Sequence, residues 1–490
     1  MEKCYNFEKI KNTMGGDCQF MMNKLAFFLY NKTEGVEYKM RKQLKLSTTH
    51  IILLSFLIVI LLGSLLLSLP ISSKTGQSVS YIDALFTATT STCVTGLVTV
   101  STFSTWSTFG QIIILIMIQI GGLGVVAFMA LFMMFIHKKF KLKDNQLIQD
   151  AFNLNTMDGL RKFIKHVFVG TLIIEALGAL LYMIVFIPEF GLKGIWISIF
   201  NSISAFCNAG MDIIGDASLM NYATNPLINL TTSLLIIIGG LGFIVWWDLI
   251  RVIKKFKSNK FKCFKALTLH SKIVISATLA LIIFGGLFIL LFEYNNPLTI
   301  KDLSFFDKIQ VSFFQSITTR TAGFASIPQE NLTNASTIIC IILMFIGGSP
   351  VGTAGGIKTI TFVALFAVAI ASIRNKREVE LFDRTLSTEI TRKAVAVTCM
   401  SFAILCLSTI LLSLTSDRSL VDIVYETTSA TATVGLSRNL TPYLNLWGKL
   451  IIIVTMYLGR VGPISLAIAF KTDKEQTNII KNPTEEVSIG

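Results

Sequence analysis

Apolar runs long enough to cross a lipid bilayer recur along the whole of this 490-residue chain. A backbone in lipid must satisfy its own hydrogen bonds, so such runs fold as helices of about 20 residues. The chain is 52% hydrophobic and only 15% charged, which is not typical of a water-soluble domain. Eight spans are predicted, at residues 50–69, 110–136, 164–187, 228–250, 273–292, 336–373, 394–414 and 447–470.

The formal net charge of +14 is distributed in a pattern that predicts membrane topology rather than nucleic-acid binding. Lys and Arg gather in alternate connections and at both termini, while the intervening connections carry few. By the positive-inside rule, both termini face the cytoplasm of a cell membrane. The basic segments are interpreted as contacts for lipid headgroups or a cytosolic partner. They are residues 1–49, 137–165, 251–272, 374–393 and those after 470. No cleavable signal peptide is evident in 1–49.

The sequence gives no indication of an enzyme. Its eight cysteines show no metal-ligand spacing and its four histidines are dispersed. The string "GTAGGIKT" lies inside a predicted span and lacks the strand that precedes a phosphate-binding loop. No catalytic site and no bound cofactor are therefore predicted.

Four short polar stretches with one glycine each lie between paired spans. They read "TSTCVTGL" at 90–97, "SAFCNAGM" at 204–211, "ITTRTAGF" at 317–324 and "TSATATVGL" at 428–436. Their glycines, Gly96, Gly210, Gly323 and Gly435, are 114, 113 and 112 residues apart. So steady a period indicates a fourfold internal duplication.

Each unit also contains a short amphipathic segment before the glycine and a second glycine motif after it. The short segments, at 83–91, 197–205, 307–317 and 422–430, are too brief to cross a bilayer. A half-length helix followed by extended backbone is a re-entrant pattern, and extended backbone is tolerated only where it lines a watery cavity. Four such hairpins are expected to close around one axis. The later motifs include "GGLG" at 121–124 and 239–242, which favour close helix packing.

Four glycine-centred segments that converge suggest a ring of carbonyl oxygens. Glycine reaches positive φ, so the chain can turn its carbonyls inward, where they replace the water around a monovalent cation. Short helices would aim their negative C-terminal ends at the same ion. Hydroxyls that could add ligands are those of Thr92, Thr95, Thr319, Thr321, Thr431 and Thr433.

Over residues 50–470 the sequence resembles the Trk/Ktr/HKT potassium transporter family, and most closely the bacterial Ktr-type membrane subunit. The four glycines carry this resemblance with "RTAGF" at 320–324, "GGSPVGTAGGIKT" at 347–359 and "LGRVGP" at 458–463. It implies an all-α polytopic membrane protein with four M1–P–M2 repeats, pseudo-fourfold and potassium-channel-like. The eight transmembrane helices and four re-entrant pore loops divide into repeats at 50–140, 160–256, 270–375 and 392–472, with a cytosolic N-terminal extension at 1–49 and a tail at 473–490.

The resemblance also implies a selectivity filter. All four glycine positions are glycine, whereas a serine in the first occurs in some plant relatives and suggests sodium preference; the sequence therefore favours K⁺. One glycine per repeat predicts a single well-defined dehydrated site with weaker sites around it. The filter residues are Val94, Thr95, Gly96, Asn208, Ala209, Gly210, Thr321, Ala322, Gly323, Thr433, Val434 and Gly435.

The sixth span is too long to be one crossing. As a helix, 336–373 would measure ~57 Å against a hydrocarbon core of ~30 Å. Its Gly-rich middle contains Pro350, so the helix is expected to break there. The family resemblance implies that this stretch, 347–356, is an intramembrane gate. The predicted gate residues are Gly347, Gly348, Ser349, Pro350, Gly352, Thr353, Gly355, Gly356 and Lys358.

Three basic residues are predicted at membrane depth, where charge is costly and usually paired or functional. Arg460 matches the family's pore-facing arginine, and its partner is either Glu426 or the Gly-rich loop. Arg320 is expected to point away from the axis in a structural role, and Lys358 to anchor the end of the loop. The acidic Glu175 is interpreted as a helix–helix contact.

The predicted activity is potassium uptake across the cell membrane, with Na⁺ as a possible activator. The resemblance implies a homodimer regulated by a separate cytosolic ring that binds nucleotides such as ATP or ADP. Passive conduction, Na⁺-coupled uptake and H⁺ symport, including of other monovalent cations, all remain open. A receptor or scaffold without flux is disfavoured by the polar re-entrant segments. An ammonium-type transporter is disfavoured because the loops contain no pore histidine.

Overall fold

The computed structural model describes residues 48–135, 148–149, 160–254, 263–376 and 378–462. The predicted N-terminal extension up to residue 47, the end of the last span and the C-terminal tail lie outside these described residues. The described part is mostly helical, and its one sheet is a hairpin that pairs Glu380–Leu381 with Arg384–Thr385. Short extra turns are Pro70–Ser72, Thr102–Thr105, Met220–Tyr222, Cys263–Ala266, Gln329–Asn331 and Thr441–Tyr443.

The helices follow the predicted fourfold order of leading helix, short helix, glycine segment and closing helix. The leading helices are Thr48–Leu67, Leu160–Phe190, Leu269–Glu293 and Thr388–Ser413, and each is long and apolar enough to cross a membrane. The short helices are Tyr81–Thr92, Lys193–Cys207, Phe305–Thr318 and Leu420–Ala432. The closing helices are Thr108–Leu123 with Val125–Phe135, Pro226–Leu241 with Phe243–Lys254, Asn334–Phe345 with Thr359–Ile373, and Leu446–Val461.

Burial separates the leading helices from the short ones. Large apolar side chains stay exposed along the leading helices, among them Leu62, Leu172, Leu287 and Phe402, as expected for surfaces that face lipid. In contrast, nearly all residues in the C-terminal halves of the short helices are buried. The short helices are therefore held inside a wall of longer helices.

The closing helices begin at polar caps that the connecting segments supply. The side chains of Ser107, Asn225, Thr333 and Asn445 each accept a hydrogen bond from a main-chain N–H of the first turn. Such caps satisfy donors that a helix start otherwise leaves unpaired. A polar side chain therefore fixes the start of the closing helix in all four repeats.

Two spans predicted as single helices, 110–136 and 228–250, are instead bent pairs. The bends are 96° at Gly124 and 98° at Gly242. Both glycines have positive φ, 91° and 87°, a conformation in which a helix cannot continue. The bends inside these two spans were not predicted, because sequence shows where glycines lie but not which one turns left-handed. The predicted break in the sixth span is confirmed, between Phe345 and Thr359. We call residues 346–358 the sixth-span loop.

Candidate functional site

Each short helix runs directly into its glycine segment, and the four segments share one backbone pattern. The segments, numbered 1 to 4 in chain order, are 94–96, 208–210, 321–323 and 433–435. In each, the first and third residues have positive φ and the residue between them does not. The first-position values are 55° at Val94, 59° at Asn208, 67° at Thr321 and 51° at Thr433. Such values are uncommon outside glycine. Alternating the sign of φ lets successive carbonyls point to one side instead of alternating as in a β-strand.

The four glycines meet in a closed ring. A methyl group built on Gly96 would lie 2.6 Å from the Ala209 carbonyl oxygen and 3.2 Å from the Cα atoms of Gly210 and Gly435. The relation repeats around the ring, from Gly210 to Ala322, from Gly323 to Val434 and from Gly435 back to Thr95. Gly96 and Gly323 adjoin both Gly210 and Gly435, so segments 2 and 4 face each other across the ring. No side chain larger than hydrogen fits at these positions.

Main-chain N–H groups of the glycine segments donate to carbonyls of the preceding short helices, and the carbonyls of the segments are left free. The N–H of Thr95 donates to the Thr90 carbonyl at 2.8 Å, and Ala209 and Val434 donate equivalently to Ser204 and Ser429. Within the described residues, no main-chain hydrogen bond ends on the carbonyls of the twelve segment residues. Buried carbonyls are normally paired. A ring of unpaired ones is suited to bind a cation.

Hydroxyls of the short helices strengthen this arrangement, which the sequence reading did not identify. Thr90 Oγ1 accepts from Gly96 N at 2.9 Å, and Ser429 Oγ accepts from Gly435 N at 3.0 Å. Ser204 Oγ accepts instead from Met211 N, at 3.1 Å. In the third repeat the hydroxyl is one residue closer to its glycine, and Thr318 Oγ1 donates to the Phe324 carbonyl. The sequence does carry a signal for these hydrogen bonds: in three of the four repeats, a Ser or Thr stands six residues before the ring glycine.

Several buried polar atoms near the ring have no hydrogen-bond partner among the described residues. Five are threonine hydroxyls and one is an amide nitrogen: Thr92, Thr95, Thr321, Thr431 and Thr433 Oγ1, and Asn208 Nδ2. All but one of these threonines precede their glycine by two or four residues, and Thr95 directly precedes Gly96. Thr319, the other hydroxyl singled out from sequence, donates to the Ser316 carbonyl. Unpartnered groups at this depth are suited to water or an ion.

The sixth-span loop connects segment 2 to segment 4. Thr353 Oγ1 lies 3.2 Å from Asn208 Oδ1 in segment 2. A methyl group on Gly355 would overlap Thr433 Oγ1 in segment 4 and lie 2.7 Å from the Ala432 carbonyl oxygen. Because these two segments face each other across the ring, residues 353–355 pass between opposite sides of it.

The loop is tied at its ends and to the second closing helix. Gly347 N donates to the Ile357 carbonyl at 3.0 Å, and Gly347 packs directly on Gly356. Ser349 N and Thr353 N donate to the carbonyls of Gly240 and Gly239, at 2.9 and 3.2 Å. The remaining predicted gate residues lie at the bend of that helix: Gly348 adjoins Gly240, and Pro350 and Gly352 adjoin Gly242.

Arg460 bonds to the loop, and no bond to Glu426 is seen in the described part of the chain. Its Nη1 donates to the Thr353 carbonyl at 2.6 Å, and its Nη2 to the Gly121 carbonyl at 2.5 Å. Glu426 instead accepts hydrogen bonds from Ser437 at 2.7 Å and from Thr441. Of the two partners that the sequence left open, the geometry therefore selects the loop. The guanidinium links the last closing helix to both the first closing helix and the loop.

The other membrane-depth charges also contact carbonyls or polar neighbours. Arg320 Nη2 donates to the Gly347 carbonyl at 3.2 Å, and Lys358 Nζ to the Ala354 carbonyl at 2.6 Å. Glu175 accepts from Gln119 Nε2 at 3.2 Å, and its carbonyl accepts from Ser202 Oγ at 2.6 Å. Glu175 thus joins its own leading helix to the first closing helix and the second short helix.

The donor set at the ring favours a monovalent cation. Its candidate ligands are neutral main-chain oxygens and hydroxyls, and no group of three or more His, Cys, Asp or Glu side chains that could hold a metal occurs among the described residues. Divalent and transition metals prefer carboxylate, imidazole or thiolate ligands. Helix C-termini directed at the ring add partial negative charge without fixed anions. The fold and this ring are those of a polytopic membrane protein with re-entrant loops, of the cation-transport class.

Comparisons with known proteins agree with that class. A family model described as TrkH, cation transport protein, matches residues 18–482, and the chain belongs to this family. The chain is 39% identical over 453 residues to the Ktr system potassium uptake protein B of Bacillus subtilis (strain 168), covering 92% of this chain and 99% of that protein. It is also 39% identical over 459 residues to the potassium/sodium uptake protein NtpJ of Enterococcus hirae, with the same coverage.

A solved structure shares the fold. The crystal structure of the potassium transporter TrkH from Vibrio parahaemolyticus superposes with a TM-score of 0.68, covering 88% of this chain and 86% of that one. Sequence identity is 17%, so this match shows the architecture alone. Four repeats with re-entrant short helices are thus the fold of this chain.

Proposed function

We propose that this protein takes up K⁺ across the plasma membrane through the ring of glycine segments. The observation that supports this most is the closed ring of four glycines whose neighbouring carbonyls accept no main-chain hydrogen bond within the described residues. The names of the relatives, potassium uptake protein and potassium/sodium uptake protein, supply the ion. Segments 94–96, 208–210, 321–323 and 433–435 form the filter, with one dehydrated site at the glycines.

The sixth-span loop is proposed as the gate. It runs between the opposite segments 2 and 4, and its carbonyls accept hydrogen bonds from Arg460 and Lys358. A fixed positive charge at this depth also repels a cation that has left the filter. Movement of the loop would open the path and would break mainly hydrogen bonds and close glycine contacts rather than burial of large apolar side chains.

The assembly proposed around the pore is a homodimer with a cytosolic nucleotide-binding ring, and both termini on the cytoplasmic side. The basic connections in the sequence support a cytosolic contact surface. We also propose that Na⁺ activates the protein and that K⁺ flows through it passively. The name potassium/sodium uptake protein keeps an alternative open, a symporter that carries both ions.

Uptake of Rb⁺ as a K⁺ tracer by cells that lack their own potassium transporters tests the proposal. Expression of the chain should restore growth at low K⁺ and Rb⁺ uptake, and excess unlabelled K⁺ should compete. Repeating the assay without Na⁺, and with the pH gradient collapsed, separates passive flow from the two symport mechanisms. If protein is present in the membrane and no uptake above the empty-vector control occurs, the proposal is wrong and a receptor or scaffold is favoured. Competition by NH₄⁺ stronger than by K⁺ would favour an ammonium-type transporter.

A further inference from the structure

Thr353 in the sixth-span loop has an unusual number of connections for one small residue. Its hydroxyl is within donating distance of the Phe206 carbonyl, at 3.1 Å, and of Asn208 Oδ1, at 3.2 Å. Its carbonyl accepts from Arg460 and its N–H donates to the Gly239 carbonyl. The side chain is completely buried. One residue therefore connects the loop to a glycine segment, a short helix and two closing helices.

The residue that Thr353 contacts, Asn208, is the first residue of segment 2. Asn tolerates the left-handed backbone that this position adopts, with φ 59°. Its equivalents in the other segments are Val94, which has no polar side chain, and Thr321 and Thr433, whose hydroxyls have no partner among the described residues. Among the first residues of the four segments, Asn208 is thus the one whose side chain forms a hydrogen bond with the loop within the described residues.

The same loop supports the opposite segment by contact. Gly355 lies against Thr433 so closely that a methyl group on it would overlap the Thr433 hydroxyl. Segment 1 has a different support, because a methyl group on Gly121 of the first closing helix would lie 3.0 Å from Val94 Cγ2. Movement of the loop therefore removes one contact from each of segments 2 and 4, while Gly121 and Gly239 of the closing helices stay beside segments 1 and 2.

We propose that the Thr353–Asn208 hydrogen bond couples the loop to the filter, so that loop position controls ion discrimination as well as passage. This inference rests on the proposed function. While the loop is in place, Thr353 fixes the Asn208 side chain and with it the left-handed start of segment 2. When the loop withdraws, segments 2 and 4 relax and the carbonyl ring fits K⁺ less closely. Asn208 and Thr353 are positioning residues for selectivity.

Thr353→Val tests the coupling, because valine keeps the shape and removes the hydroxyl. In proteoliposomes we expect Rb⁺ flux to rise and Na⁺ inhibition of that flux to strengthen, each on the order of fivefold, the effect of one hydrogen bond. Thr353→Ser should restore wild-type values. Thr359→Val is the matched control: this hydroxyl is also buried, beside the same loop, and has no partner among the described residues. It should leave both readouts unchanged.

Asn208→Gly removes the other partner of the hydrogen bond, since glycine tolerates the positive φ and lacks the amide. It should shift Na⁺ inhibition as Thr353→Val does, and the double variant should shift it no further. If Thr353→Val raises flux with Na⁺ inhibition unchanged, or if the two effects multiply, the coupling is refuted and the loop acts on passage alone. Those results require a wild type that conducts Rb⁺, whereas a wild type without flux would refute the proposed function itself.

Discussion

The glycine ring and the closing helices around it follow the fourfold repeat to different degrees. In the ring, all four glycines have positive φ, between 65° and 99°, and each contacts the next in the same way. In the closing helices, glycines at Gly124, Gly242 and Gly462 also turn left-handed, with φ of 87–91°, but the third repeat has the sixth-span loop instead. The ring of glycine segments is therefore symmetric, and the set of closing helices around it is not.

The first glycine of each closing motif shows where the symmetry fails. Gly121, Gly239 and Gly459 each lie against the carbonyl of the residue four before the ring glycine, in their own repeat. In the third repeat, Gly347 packs on Gly355 and Gly356 of its own loop. A dehydrated ion needs equivalent ligands on all sides, whereas control needs one element that can move alone. The ring that we propose as the filter therefore keeps the symmetry of the duplication, and the loop that we propose as the gate is the part of the third repeat that departs from it.

The largest expected effect comes from breaking the symmetric half with Gly435→Ser. Gly435 has φ 99°, and a Cβ there would overlap the Thr95 carbonyl oxygen. A left-handed non-glycine residue costs roughly 1–2 kcal/mol, so discrimination of K⁺ over Na⁺ should fall by a factor of about ten or more. Competition of Na⁺ with Rb⁺ uptake measures it. Gly448→Ser, on the closing helix of the same repeat, is the control and should keep wild-type discrimination.

A smaller effect is expected from shortening the asymmetric element, residues 349–355. Removing the stretch that connects segments 2 and 4 should raise Rb⁺ flux by about tenfold, the change from weakening a closed state by roughly 1.4 kcal/mol. The flux should also respond less to the cytosolic ring that we propose as the regulator. A deletion variant with wild-type flux, at equal amounts in the membrane, would show that the loop does not obstruct the path.

The smallest effect separates two glycines with the same backbone. Gly124→Ala and Gly242→Ala carry the same left-handed penalty of roughly 1–2 kcal/mol, so each should lower the melting temperature of the purified protein, and Gly242→Ala by more because its methyl group also meets the loop. Only at Gly242 would the new methyl group meet the loop, 2.5 Å from the Pro350 carbonyl oxygen; around Gly124 there is open space. Gly242→Ala should therefore raise Rb⁺ flux about threefold, which corresponds to a smaller free-energy change than the loss of one hydrogen bond. Gly124→Ala should leave Rb⁺ flux unchanged. Equal flux changes would show that the bends, and not the loop contact, determine passage.

The same contrast explains how much the sequence could predict. The ring could be placed because its four glycines keep register, and the short helices follow from the polar, amphipathic segments before them. The bends could not, since Gly121 and Gly124 stand in one motif and only the backbone reveals that Gly124 turns. The partner of Arg460 was undecidable because carbonyls carry no signature in sequence. Thr353 looked like any loop threonine until the fold brought it to Asn208.

The central claim is that four main-chain segments hold one dehydrated cation on a shared axis. A crystal structure of the protein soaked with Tl⁺ or Rb⁺, with anomalous differences recorded, tests it most directly. We predict a peak on the axis at the level of Gly96, Gly210, Gly323 and Gly435, surrounded by carbonyl oxygens of all four segments. An axis without a peak, or a peak coordinated by side chains of one repeat alone, would contradict the account.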